Sequence, residues 1–247
     1  MIKRELYMNR IRPFIGGELI KVMTGIRRSG KSVMLELIKE ELAEAGVAPS
    51  QMISINFEDM RYSHLQTATA LHDEIIKRAE GIEGKAYLFF DEIQEVEGWE
   101  KCVNSLRVAL DCDIYITGSN AKLLSGELAT YIGGRYVEFV IYPFSFAEFL
   151  ELYHTIAPSD SIQQCFQKYL LAGGMPYLAN LRYEEEPSRQ YLTDLFNSVQ
   201  LKDIVKRNKI RDIDLLERII AYMTANVGTV FSASSMAKFF KNEQRTV

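Results

Sequence analysis

The stretch Leu19-Ile20-Lys21-Val22-Met23-Thr24-Gly25-Ile26-Arg27-Arg28-Ser29-Gly30-Lys31-Ser32 decides the fold. Leu19 to Thr24 reads as a strand, and it runs straight into Gly25–Ser32, which fits G-x-x-x-x-G-K-[ST]. The spacing has a mechanical reason. A chain that curls around a phosphate must turn several backbone N–H groups inward, and Gly25 and Gly30 permit backbone angles that side chains disfavour. Lys31 adds a cation for the outer phosphates, and the Ser32 hydroxyl suits a magnesium ion. The helix expected from Ser32 to Ala45 carries Met34, Leu35, Ile38 and Leu42 on one face and stops at Gly46. Its start sets the positive end of the helix dipole against the anion. The loop contacts expected from this stretch are Gly25, Arg27, Arg28, Ser29, Gly30, Lys31, Ser32 and Val33.

Working outward, the second informative stretch is Tyr87-Leu88-Phe89-Phe90-Asp91-Glu92, an apolar strand that ends in two acids. Adjacent carboxylates at a buried strand end are costly unless something positive pairs with them. Magnesium on a phosphate chain does so, which makes Asp91 the metal-side acid and Glu92 the base for an attacking water. An enzyme that moves phosphate to a small molecule must keep water out and needs no glutamate there. The Asp-Glu pair therefore favours hydrolysis. Glu95 and Glu97 read as surface acids.

Strands are expected also at Met52–Phe57, Ile114–Thr117 and Val137–Tyr142, with helices at Ala68–Ala79 and Trp99–Leu110. This alternation predicts an α/β domain with a mainly parallel sheet, whose sites lie at the carboxyl ends of strands. After Pro143 only helices are expected. Ser145-Phe146-Ala147-Glu148 and Ser161-Ile162-Gln163-Gln164 both fit the capping box that opens a helix. A turn at Gly173-Gly174-Met175-Pro176 follows, and Tyr183–Pro187 reads as a charged link into a further helix. The expected division is 1–143 for the α/β domain, 144–207 for a small helical lid and 208–247 for a third part.

Composition sets bounds on these readings. The 247 residues are 47% hydrophobic and 25% charged, which suits a folded globular protein. A net charge of -4 argues against a surface given over to nucleic acid. The three cysteines (Cys102, Cys112, Cys165) and three histidines (His64, His72, His154) have no metal-ligand spacing. No apolar run follows the N-terminal MIKRELYMNR, and no stretch is long enough to span a membrane, so the cytoplasm is the expected compartment.

At the other end, Lys202, Lys206, Arg207, Lys209 and Arg211 form a basic run, read as a solvated helix face. An amphipathic helix from Asp214 to Ala225 and a short one from Ser234 to Phe240 look like the first half of a winged helix. The third helix, which would enter a DNA groove, would start near Gln244, where the chain stops. The expectation is a fragment of a longer protein, with nucleic-acid binding not expected of this part.

The loop motif, Phe90-Asp91-Glu92-Ile93-Gln94, Thr117-Gly118-Ser119-Asn120 and Gly173-Gly174-Met175-Pro176 together resemble the AAA+ ATPases. They are most similar to a prokaryotic group that joins such a module to a C-terminal domain of unknown function. The resemblance covers most of residues 10 to 240. It implies a P-loop sheet of order 5-1-4-3-2 flanked by helices, followed by the helical lid and the partial winged helix, with ATP and Mg2+ as ligands. It implies a polar sensor at Ser119 or Asn120, an arginine finger at Arg135 reaching a neighbouring subunit in a homo-oligomer, and Pro176 against the base. Ile11–Phe14 is expected to line the base's other side. The expected function is magnesium-dependent ATP hydrolysis that drives a conformational or assembly change, with a protein partner. The alternatives are a slow nucleotide-gated binding switch and an ATP-controlled DNA-binding regulator.

Overall fold

A computed structural model describes residues 2–118, 132–199, 205, 212–230 and 232–243. Five strands form one sheet: β1 (Ile20–Thr24), β2 (Met52–Asn56), β3 (Ala86–Asp91), β4 (Cys112–Thr117) and β5 (Tyr136–Val140). Their order is β2-β3-β4-β1-β5 and every pairing is parallel. This is the expected order read from the other edge.

Helices α1 (Glu5–Ile11) and α2 (Lys31–Glu44) cover one face of the sheet, and α3 (Ala68–Ala79) and α4 (Trp99–Ala109) cover the other. Alternate strand residues serve the two faces. Leu88, Phe90, Ile114 and Ile116 pack with Leu71, Ile75, Val103 and Leu106. Phe89 and Tyr115 stack at 4.8 Å on the opposite face, among Met34, Ile38, Met8 and Ile11. Both faces are dry, so the strands read as apolar runs, as parallel strands must.

Departures from expectation have clear causes. Helix α1 was not foreseen, because seven residues span too few turns for a periodicity to register. Its Tyr7, Met8 and Ile11 are nevertheless buried. Strand β4 begins two residues earlier than Ile114, because Asp113 is held inside. The fully buried Lys21 donates to Asp113 Oδ1 and to the carbonyls of Leu19 (2.9 Å) and Gly17 (3.2 Å). Asp113 Oδ2 accepts from the Gly16 N–H and the Tyr115 hydroxyl, each at 2.7 Å. Burial pulls the Lys21 pKa down, with Asp113 opposing it. The network clamps the turn that feeds β1.

Beyond the sheet come α5 (Phe146–Tyr153), α6 (Ile162–Ala172) and α7 (Glu185–Val199). The capping boxes Ser145/Glu148 and Ser161/Gln164 are both formed. Helix α7 starts inside the segment expected to be a link. Pro187 falls in its first turn, where no intrahelical N–H is needed. The residues group into two compact units, Met1–Tyr191 and Leu192–Val247. In the second, α8 (Ile213–Ala225) meets α9 (Ala233–Glu243) through Tyr222, whose ring lies 4.9 Å from Phe239 and 5.9 Å from Phe240. No residue of α8 is buried. The five residues of the basic run lie outside the described residues. Among the described residues no helix is long and apolar enough to cross a membrane.

The Lys21–Asp113 network predicts an asymmetry. Asp113→Ala removes the charge partner of Lys21 and, with it, the acceptor of the Gly16 N–H and the Tyr115 hydroxyl, and should cost about 3–5 kcal/mol. Lys21→Met leaves Asp113 with two donors and should cost less. Urea unfolding of the two variants checks this, and a larger loss for Lys21→Met would contradict it.

Candidate functional site

The loop after β1 is shaped by its contacts as well as by its glycines. Gly25 has φ 147, and a Cβ there would overlap the Ile141 carbonyl oxygen. The next peptide after β5 thus lies directly on the loop, fixed by a 2.7 Å bond from Ile141 N–H to the Thr24 carbonyl. Gly30, at φ 99, caps α2, which begins at Lys31. Ser29 is buried, whereas Ile26, Arg27, Arg28, Ser32 and Val33 are exposed. Lys31 is only 5% exposed and folds back over the loop. Its ammonium donates to the carbonyls of Ile26 (3.3 Å) and Gly25 (3.4 Å) and lies 3.9 Å from Glu92. Burial lowers the Lys31 pKa, with Glu92 and Asp91 pulling the other way. A buried ammonium with weak carbonyl partners and one carboxylate is suited to an anionic oxygen.

The acids stand where the strand order brings them. Asp91, 6% exposed, ends β3, and its two oxygens accept from the Thr117 hydroxyl and from Asn56 Nδ2 (3.2 Å). Glu92 has φ 55, and its N–H donates to the Thr117 hydroxyl at 3.0 Å. Its Oε2 accepts from the Gln94 amide. Thr117 therefore binds both acids at once, as donor to one and acceptor from the other. Neither Thr117 nor Asn56 stood out as a site residue in the sequence. Their only signal was position, since each is the last residue of a strand next to β3.

Other expected residues fall as follows. Ser119 and Asn120 lie outside the described residues. Arg135 is exposed just before β5, with its carbonyl bonded to the Ile20 N–H and its guanidinium 2.9 Å from Asn104 Oδ1. That is the end of the sheet away from the loop. Pro176 is half-buried and opens a short 3-10 turn, Pro176–Ala179. Gly174 sits so close to Phe144 that a Cβ would overlap the Phe144 carbonyl, and its own carbonyl accepts the Phe144 N–H at 2.7 Å. A cleft of about 470 Å³ lies here, lined by Leu6, Tyr7, Phe144, Tyr169 and Gly174 among others. Leu6 and Tyr7 of α1 form one side of it. Phe14 packs on Phe139, and Arg12 is paired with Glu5 and Glu41.

The sequence also gave no hint of Arg4. It is 3% exposed and donates to the Ser29 carbonyl (3.0 Å), the Tyr142 carbonyl (2.8 Å) and Glu148 Oε1 (2.7 Å).

A five-stranded parallel sheet of this order, with a Gly-Lys-Ser loop after β1 and an acid pair after β3, defines a P-loop nucleotide-binding protein. Residues 18–150 match the family described as an AAA domain, and the chain belongs to that family. Nucleotide binding and hydrolysis in general are what such a domain brings. Residues 163–247 match a domain of unknown function. An uncharacterised protein of Haemophilus influenzae is 38% identical over 245 residues, covering 99% of this chain and 60% of that protein. Another, from Methanocaldococcus jannaschii, is 32% identical over 236 residues, covering 91% and 51%. The chain thus spans little more than half the length of these curated relatives. Among solved structures, AMPPCP-bound DnaA from Aquifex aeolicus matches at 13% identity and TM-score 0.47, over 92% of this chain and 71% of that one. Aeropyrum pernix ORC1 in complex with DNA matches at 13% and 0.45, over 100% and 78%.

The bridging role of Thr117 gives a test. Thr117→Val keeps the shape but removes a donor from Asp91 and the acceptor of the Glu92 N–H. It should cost about 1–3 kcal/mol. Thermal and urea unfolding without nucleotide measure this, and a wild-type midpoint would show that neither bond contributes.

Proposed function

We propose that this chain is a magnesium-dependent ATPase whose hydrolysis drives a conformational or assembly change. The observation that carries the reading is the convergence of Lys31 on Glu92, 3.9 Å apart, with Asp91 beside them. A cation for phosphate oxygens and a base for water meet at the same end of the sheet. The donor set suits magnesium, which prefers hard oxygens: a serine hydroxyl at Ser32 and a carboxylate at Asp91. When bound, that ion neutralises charge on the phosphate chain.

The chain's own residues take these roles. Backbone N–H groups of the loop from Gly25 through Val33, including Arg27, Arg28, Ser29 and Gly30, cradle the phosphates, and Lys31 contacts the outer ones. Glu92, its backbone pinned by Thr117, accepts the proton of the attacking water. Ser119 or Asn120, beyond the same strand end, serves as the polar sensor. Pro176 lies toward the base. The lid is assigned to residues 144–207, and residues 208–247 to the start of a winged-helix-like part.

Arg135 acts between subunits. Five strand residues separate it from the end of β5, roughly 16 Å at 3.3 Å each. Its own loop is out of reach of its side chain, so an arginine finger here serves a second copy of the chain.

Two measurements test the reading. Glu92→Gln keeps the size of the side chain and loses the proton acceptor. It should bind ATP normally and hydrolyse it about 100-fold more slowly or worse; an unchanged rate moves the base elsewhere. For wild type, turnover per chain should rise with protein concentration as sites are completed by neighbours. Arg135→Ala should stay low and flat, down by on the order of 1,000-fold at the top of the range. A rate independent of both concentration and Arg135 leaves that residue on the surface with no part in the reaction.

A further inference from the structure

Arg4 lies 25 residues from Ser29 of the loop and 144 from Glu148 of α5, yet one guanidinium joins both. Its Nη1 donates to the Ser29 carbonyl at 3.0 Å, inside the phosphate loop. Nη2 donates to the Tyr142 carbonyl at 2.8 Å, in the segment that leaves β5. Nε donates to Glu148 Oε1 at 2.7 Å, and Nη2 reaches Oε2 at 3.4 Å. The planar group is held between the rings of Tyr7 (4.6 Å) and Phe144 (5.1 Å). Arg4 itself has φ 48 and ψ 48, a left-handed conformation that is uncommon for a long side chain.

Both ends of this connection matter locally. A peptide unit is planar and trans, so its C=O and N–H point in opposite directions. Holding the Ser29 oxygen toward Arg4 therefore aims the Gly30 N–H to the other side. Arg4 comes so near that a Cβ on Gly30 would lie 3.3 Å from Nη1. At the far end, Glu148 also completes the capping box of α5, accepting from the N–H (2.8 Å) and hydroxyl (3.0 Å) of the N-cap Ser145. Any turn of the Ser29–Gly30 peptide is felt by Arg4, and through Glu148 by the start of α5.

We propose that Arg4 is a positioning residue that links nucleotide occupancy of the phosphate loop to the seating of α5, the first helix after the sheet. The proposal rests on the reading of Gly25–Ser32 as the phosphate site. By reciprocity, a residue that sets the loop peptide through this link changes nucleotide affinity, even where it touches neither loop nor ligand. Glu148 is such a residue, and it separates positioning from mere support.

The experiment is an equilibrium titration of the full chain with a fluorescent ATP analogue and magnesium, alongside unfolding midpoints without nucleotide. The variants are Arg4→Lys, Glu148→Gln, their combination, and Lys31→Ala. Lysine keeps the charge but cannot hold the carboxylate in a fork and the carbonyl together. Each single variant should bind the analogue about 10-fold more weakly. The double variant should be no weaker than the worse single one, because both break one connection. Folded variants with lowered midpoints and wild-type affinity would overturn the proposal, and so would effects that simply multiply. If Lys31→Ala loses binding while Arg4→Lys and Glu148→Gln keep it, only the role of Arg4 falls. If Lys31→Ala binds as wild type does, the phosphate-site reading fails and the proposal fails with it.

Discussion

Strand β4 lies between β1 and β3, and the geometry of the site follows from that insertion. The register pairs Met23 with Thr117 and Phe90 with Ile116. Thr117 is thereby brought beside Asp91, where its hydroxyl serves both acids. Two strand spacings, about 10 Å in all, separate the loop's strand from the acids' strand. That gap leaves room for a phosphate chain, and the side chain of Lys31 reaches across it toward Glu92.

Two buried ion pairs stand at opposite ends of the same sheet, and they do different work. Lys21–Asp113 closes the amino end, where all its partners belong to the sheet or the turn leading into it. Arg4–Glu148 lies at the carboxyl end and joins segments far apart in the chain. Buried pairs persist only where remaining donors and acceptors find partners, and both networks meet that condition closely. Burial pushes the Glu148 carboxyl up, but the bonds from Arg4 and Ser145 outweigh it and hold it below the usual carboxylate range. Its contribution to stability is therefore present at neutral pH, above the unfolded-state value. It is lost only as the pH falls through that lowered value.

The helical segment is tied to the sheet by backbone contacts that tolerate no side chain. Gly25 lies against Ile141, and Gly174 lies against Phe144. The two contacts are close in space because Ile141 and Phe144 flank the same short exit from β5. One glycine belongs to the loop motif and the other to the Gly-Met-Pro turn, so the two most recognisable turns in the chain grip a single segment. The cleft lined by Tyr7, Phe144 and Gly174 opens beside that grip.

Local chemistry was readable directly. The strand-loop-helix passage at 19–45, the apolar strand ending in Asp91-Glu92 and the two capping boxes depend on residues close in sequence, and each formed where its pattern stood. The strand order came from resemblance and not from the residues' own patterning, because parallel strands that are apolar on both faces carry no label for their neighbours. Helix α1 is too short for its periodicity to register, and α7 starts early, inside a segment whose run of glutamates reads as a charged link. Thr117, Asn56 and Arg4 were beyond local reading altogether. A threonine or asparagine at a strand end is ordinary, and an arginine in a charged N-terminal segment looks solvated. The sequence by itself determined the glycine loop, the lysine that follows it and the acid pair at a strand end, since those patterns act over a few consecutive residues. Only the tertiary structure decided which residues hold those groups in place. Hydrogen bonds between strand ends, and a guanidinium reaching across 144 residues of chain, depend on distances in space that spacing along the chain does not encode.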